Sequence, residues 1–134
     1  MQNFSQAQSS TALVIDDDDF SQAAFGISLK AIGLHHIQYA DNGSDGLRIF
    51  DNSSPPPDFL ICDIFMPDMD GVEFIMEMHK RAYQGGMILV SSNPMMLHIA
   101  QKIAIASNLK LLGSFAKPLH TDALAHAMGY APNR

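Results

Sequence analysis

The sequence predicts an α/β fold: a doubly wound, five-stranded parallel sheet with helices on both faces. Three observations predict it. Five short, mostly apolar runs (TALVI, HIQYA, DFLIC, MILV and LLGSFA) are spread along the chain. A segment of helical period or with helix-start signals follows each run. Most of the runs do not alternate apolar with polar, as strands covered on both faces do not. A helix at every crossover requires parallel strands, and right-handed crossovers open the sheet with helices on both sides.

The elements follow in order. TALVI (11–15) is the first strand. Phe20, Ala23, Ala24, Ile27 and Ala31 recur at helical spacing and predict a helix from 20 to 32, with Gly33 as its stop. HIQYA (36–40) is the second strand. DNGSDGLRIF turns and then starts a short helix carrying Leu47 and Phe50. The rigid SSPPP (53–57) leads into DFLIC (58–62), the third strand. Asp70, with Glu73 three residues on, caps the next helix. Gly85-Gly86 break it before MILV (87–90). Asn93 and Pro94 start a helix that runs to about Ser107, then comes LLGSFA (111–116), and TDALAHAM closes the set. Residues 1–10 read as a flexible tail, 11–129 as one folded unit, and 130–134 as a tail or the start of a linker.

Composition narrows the function. With 134 residues, 47% apolar and 16% charged, the chain is globular and long enough to bury a core. Its net charge of −6 argues against binding nucleic acid. No apolar run approaches a membrane span, and the start, MQNFSQAQSS, lacks basic residues and an apolar stretch, so no membrane association is expected. The single cysteine, Cys62, suits a reducing compartment, and a cytoplasmic location is expected. Cys62 reads as core packing rather than as a reactive thiol.

Open parallel sheets gather ligands at the carboxyl ends of their strands. Asp16 and Asp17 stand after strand one, Asp63 after strand three, Ser91 and Ser92 after strand four, and Lys117-Pro118 after strand five. Pro118 restricts Lys117 to extended backbone geometry. Two carboxylates about 4 Å apart repel by roughly 4 kcal/mol at an effective dielectric near 20, so such a group is either splayed into water or held around something positive. Hard oxygens suit Mg²⁺. A carboxylate beside it can attack phosphorus, and a lysine and a hydroxyl can take phosphoryl oxygens.

The acids of VIDDD, the segment CDIFMPDMDG, the hydroxyl of ILVSS and the lysine of FAKPL stand in this order, each at a strand end. Together they resemble the response-regulator receiver domain, the CheY-like module of two-component phosphorelays, over about residues 11–128. The resemblance implies the flavodoxin-like strand order 2-1-3-4-5. It implies that Asp63 is the phosphoacceptor and that Asp17 binds Mg²⁺ (or Mn²⁺) directly. Asp16 would help through water, and the backbone carbonyl of Phe65 would complete the metal site. Ser91 would be the switch hydroxyl, and Lys117 would pair with Asp63 or the phosphoryl group. The donor would be a sensor histidine kinase or a histidine phosphotransfer protein. Such a domain catalyses its own modification and turns over no separate substrate. Asp18 and Asp19 read as loop and helix N-terminal charges.

Two departures stand out. Receivers often carry an aromatic three residues before the lysine; here it is Ser114, and the adjacent Phe115 should face the other way. Phe65 puts a bulky ring beside the acceptor, where it should hinder attacking water. The helix at 94–107 is apolar nearly all round, which means either deep burial or a face for another domain or a second copy of the chain. The 94–128 region is where receivers pass on signal and dimerise. NLKLLGSFAKPL is similar to receivers fused to cyclic-di-GMP phosphodiesterase domains, which makes such an output domain a candidate partner.

Other readings fit the residues less well. A calcium loop over 66–77 lacks a first-position ligand at Met66. A haloacid-dehalogenase-type phosphatase wants a second acid where Phe65 stands. A flavodoxin-like flavin binder wants a neutral loop after strand one, not four aspartates. A pseudo-receiver that only mediates contacts is opposed by the full set of site residues. The six histidines show no ligand spacing.

Overall fold

A computed structural model describes residues 9–130. The elements alternate without exception: β1 (Thr11–Ile15), α1 (Asp19–Ile32), β2 (His36–Ala40), α2 (Gly43–Asp51), β3 (Phe59–Asp63), α3 (Gly71–Lys80), β4 (Gly86–Ser91), α4 (Pro94–Ala106), β5 (Lys110–Ala116) and α5 (Thr121–Met128). All strand pairs are parallel, in the order β2-β1-β3-β4-β5. The predicted fold class and strand order are those observed. Among the described residues no helix is long and apolar enough to cross a membrane.

The sheet separates two cores, and the strand residues alternate between them. Leu13, Ile15, Leu60, Cys62, Met87 and Leu89 point to one face, against Phe74, Ile75 and Met78 of α3 and Leu97, Ala100 and Ala104 of α4. Ala12, Val14, Phe59, Ile61, Ile88 and Val90 point to the other, against Phe25 and Leu29 of α1 and Leu124 and Met128 of α5. Both faces are covered, so the central strands need apolar residues at every position. Packing is close enough to exclude a methyl group at Gly71, where a Cβ would meet the Ile64 backbone at 2.7 Å.

The stripe Phe20, Ala23, Ala24, Ile27 and Ala31 is the outer face of α1: Phe20 is 81% and Ile27 72% exposed. The helix buries Phe25, Gly26, Ser28 and Leu29 instead. Both stripes have helical spacing. The buried one carries the large side chains that fill the core, plus Ser28, whose hydroxyl meets that of Thr121 at 2.8 Å and ties α1 to α5. Gly26 lets Tyr39 of β2 lie against the helix.

Two expectations need correction. First, the folded unit extends past its expected edges at 11 and 129. Ser10 and Tyr130 are both buried, and their hydroxyls meet at 3.0 Å. The rest of the expected tails, residues 1–8 and 131–134, lies outside the described residues. Second, β3 and β4 run one residue further than expected, so Asp63 and Ser91 are the last residues of their strands.

The apolar helix at 94–107 resolves into two faces. Leu97, Ala100 and Ala104 are buried; Met95, Ile99 and Ile105 are exposed. In β5 the register shifts opposite Met87/Ile88, so that Met87 pairs with Leu111 but Ile88 with Gly113. This bulge interrupts the alternation. Ser114 consequently faces α4, and Phe115 packs in the α1/α5 core.

The face assignment of α1 has a direct consequence. Leu29→Ala is expected to destabilise the protein by about 2–5 kcal/mol, as a cavity in a packed core does. Ile27→Ala, two residues away, is expected to cost less than about 0.5 kcal/mol. Urea unfolding of the two variants checks this, and equal losses would refute the orientation of the helix.

Candidate phosphoryl-acceptor site

The carboxyl ends of β1, β3 and β5 converge on one lysine. The Lys117 Nζ donates to Asp16 Oδ2 at 2.7 Å, to Asp63 Oδ2 at 3.3 Å and to Ser21 Oγ at 3.3 Å. Asp16 is fully buried and Asp63 is 5% exposed. Lys117 reaches them because its own amide donates to the Ser91 carbonyl at 3.0 Å, extending the β4–β5 ladder by one step.

Each carboxylate is held at both oxygens. Asp16 Oδ1 accepts the Asp18 amide at 2.9 Å. Asp63 Oδ1 accepts the Phe65 amide at 3.1 Å. Burial is the largest influence on Asp63 and pushes its pKa above the ordinary carboxylate value, against the Phe65 amide and the Lys117 charge, which favour ionisation. For Lys117, burial pulls downward, but the hydrogen bond and charge of Asp16 and those of Asp63 outweigh it and hold the ammonium above the ordinary lysine value. Both shifts describe one situation: two buried acids sharing one cation.

Asp17 is exposed, and one oxygen each from Asp16, Asp17 and Asp63 lie within 4.8 Å of one another. That is the only such acid, histidine or cysteine group among the described residues. Mg²⁺ prefers hard carboxylate oxygens and keeps several waters, so this donor set fits the ion in its chemistry.

The remaining predicted residues fall into place as follows. Asp18 is the N-cap of α1, accepting the Ser21 amide at 2.9 Å, and Asp19 lies in the first turn. Asp18 ionises more readily than usual, chiefly because of that amide. Ser91 is buried, but its hydroxyl accepts the Asn93 amide at 3.0 Å and makes no described hydrogen bond to either carboxylate. The Phe65 ring is 64% exposed on the loop after Asp63. Cys62 is buried with its thiol pushed up by burial, which suits a core role. Asp68 accepts the Gly43 and Ser44 amides and Asp70 that of Glu73, so these two acids of the rejected calcium loop are helix-start acceptors, while Glu77 pairs with Lys80 and Arg81.

Sequence reasoning missed three participants: Ser21, Gln22 and Asp41. Ser21 touches Lys117, and Gln22 bonds to the loop that carries Asp16 and to Asp41. For Ser21 and Gln22 the available signal was their position on the first turn of the helix that follows the acidic loop; Asp41, just after β2, gave none.

The family profile described as "Response regulator receiver domain" matches residues 12–128. The chain belongs to the response regulator receiver family. Among related proteins, the receiver is 30% identical over 117 residues to the transcriptional regulatory protein GlrR of Escherichia coli, covering 87% of this chain and 24% of that protein. It is 38% identical over 68 residues to the sensor histidine kinase CheAY of Helicobacter pylori, 51% of this chain and 8% of the other. The chain therefore spans a small part of the curated relatives it matches. Among solved structures, a receiver domain protein from Clostridium thermocellum superposes with a TM-score of 0.76 at 23% identity, covering 89% and 90% of the two chains. CheY in a CheX–CheY–BeF3–Mg²⁺ complex from Borrelia burgdorferi gives 0.75 at 21% identity, covering 88% and 85%. These two likenesses show the fold.

The strained charge balance of the receiver can be measured. Asp63→Asn removes one of the two acids competing for Lys117 and relieves the cost of ionising a buried group. The expected result at pH 7 without divalent cations is a melting temperature raised by roughly 3–5 °C, about 1 kcal/mol for a chain of this size. Calorimetric melting checks it, and an unchanged or lower temperature would contradict the account.

Proposed function

We propose that this receiver takes a phosphoryl group onto Asp63 from the phosphohistidine of a sensor histidine kinase or a histidine phosphotransfer protein. The observation that carries the reading is Lys117 held between Asp16 and Asp63, beside a third acid, at one rim of the sheet. A lone acidic loop needs no such lysine. Here the ammonium comes from an edge strand, past β4, to meet acids of β1 and β3.

In this reading a carboxylate oxygen of Asp63 attacks phosphorus while the bond from phosphorus to the imidazole nitrogen breaks. The imidazole departs as the neutral base after taking a proton. The Phe65 amide and Lys117 hold the Asp63 carboxyl in place before attack. As the phosphoryl group arrives, Lys117 passes to one of its oxygens, and Ser91 gives up the Asn93 amide to donate its hydroxyl proton to another. Asp17, Asp63 and the Phe65 carbonyl would hold Mg²⁺ (or Mn²⁺), with Asp16 acting through water. The ion would supply charge neutralisation for the carboxylates and the transferring group. The chain acts on its own side chain and turns over no separate substrate.

Partner surfaces support the relay. The outer stripe of α1, with Phe20 and Ile27, continues into a small cleft of about 100 Å³ lined by Phe20, Ala24, Phe25, Pro118 and Leu119, next to Lys117. An exposed apolar surface at the rim suits the donor protein. On the other side of the molecule, Met95, Ile99 and Ile105 of α4 would meet a second copy of the chain or an output domain, for which a cyclic-di-GMP phosphodiesterase type is our candidate. A kinase donor places the receiver in the cytoplasm.

Incubation with acetyl phosphate and Mg²⁺, followed by intact mass measurement, tests the assignment. The native chain should gain one phosphoryl group and Asp63→Asn none; no gain in the native chain overturns it. The exposed Phe65 ring should also shield the acyl phosphate from water. Phe65→Asn is expected to speed loss of the phosphoryl group several-fold, read by the same mass assay over time, and an unchanged rate would remove that role.

A further inference from the structure

We propose that Gln22 is a positioning residue for the divalent-cation site, fixing the Asp16–Asp17 peptide so that the Asp17 carboxylate stays beside Asp63. The inference rests on the reading that these acids take the cation, and it concerns a residue outside that set.

Asp16 is anchored at every polar atom. Its amide donates to the Ala40 carbonyl at 3.0 Å, and its two carboxylate oxygens accept from Asp18 and Lys117. Its carbonyl accepts from the Gln22 Nε2 at 2.7 Å. The same nitrogen donates to Asp41 Oδ1 at 2.8 Å, with the Ala40 carbonyl further off at 3.3 Å. One side-chain amide on the first turn of α1 therefore bridges the end of β1 to the loop after β2.

The Asp16 carbonyl belongs to the peptide plane that joins Asp16 to Asp17. Because that unit is rigid, holding its oxygen sets the direction in which Asp17 leaves the strand. Asp17 needs this. Among the described residues no hydrogen bond or ion pair holds its carboxylate, which nevertheless lies with those of Asp16 and Asp63. Its placement comes from the backbone, and Gln22 holds that backbone from the helix.

The residue type fits the task. A carboxamide nitrogen offers two protons in one plane, one for each acceptor, and carries no charge. A lysine or arginine here would pair with the acids and oppose the cation. An apolar residue would leave the carbonyl and Asp41 without their donor.

The test is calorimetric titration of the full chain with Mg²⁺ at constant ionic strength, for the native protein, Gln22→Met and Gln22→Leu, alongside thermal melts without metal. Both variants lose the donor and add no charge. The expected result is a Kd for Mg²⁺ raised roughly tenfold in each, the lower end of what losing an outer partner of a metal site costs. A lowered melting temperature with an unchanged Kd would make Gln22 merely structural and overturn the inference. Should Gln22→Met fail to fold, Gln22→Leu is read by the same criterion. If the native chain takes up no Mg²⁺, the cation reading itself fails, and this inference with it. If the native chain binds and the variants bind equally, only the role of Gln22 falls.

Discussion

The bond between the Lys117 ammonium and two buried acids is the constraint around which this receiver is organised. Asp16 and Asp63 are removed from water at neighbouring strand ends, where two negative charges repel strongly. Neither has another cation within reach among the described ion pairs. Taking the ammonium away would leave uncompensated buried charge, the costly half of a broken buried pair. The site is therefore held in a state that is stable but unrelaxed. The lysine satisfies Asp16 at 2.7 Å and Asp63 less closely at 3.3 Å. The acid proposed to react is thus the less well compensated of the two.

Under the proposed function, the surroundings of the site offer a path toward α4 that does not use an aromatic switch. Ser91 accepts the Asn93 amide, and Asn93 in turn caps α4 by accepting the Met95 and Met96 amides. Any movement of the Ser91 hydroxyl removes one anchor of that first turn. Further along, Ser114 donates to Gln101 at 2.9 Å, so β5 grips α4 through a polar contact. Phe115 packs against the opposite core. The helix reached by this path is the one that shows Met95, Ile99 and Ile105 to solvent. A polar path and an exposed apolar face on the same helix are the parts that a population shift of the receiver surface requires.

The four aspartates after β1 show how position separates identical side chains. Asp16 is buried and paired, Asp17 is exposed beside it, Asp18 caps a helix, and Asp19 sits in the first turn, where the helix dipole favours it. Only one of the four needs a cation from the protein. The rest are stabilised by water and by backbone amides, which explains how a chain of net charge −6 tolerates the run.

The order of elements, the parallel sheet and the acids, hydroxyl and lysine at the strand ends could all be read from the residues. These properties follow from local period and from a topological rule that sends strand ends to one rim. Orientation was not readable. Helix α1 has two stripes with helical spacing, and spacing alone does not say which is buried; filling the core with Phe25 and Leu29 settles it. The bulge in β5, which turns Ser114 toward α4, depends on pairing with β4 rather than on its own residues. Gln22 is an ordinary helix residue until Asp16 of β1 and Asp41 beyond β2 come within reach of one nitrogen. Contacts of that kind arise between segments distant along the chain, and only the packed molecule determines them.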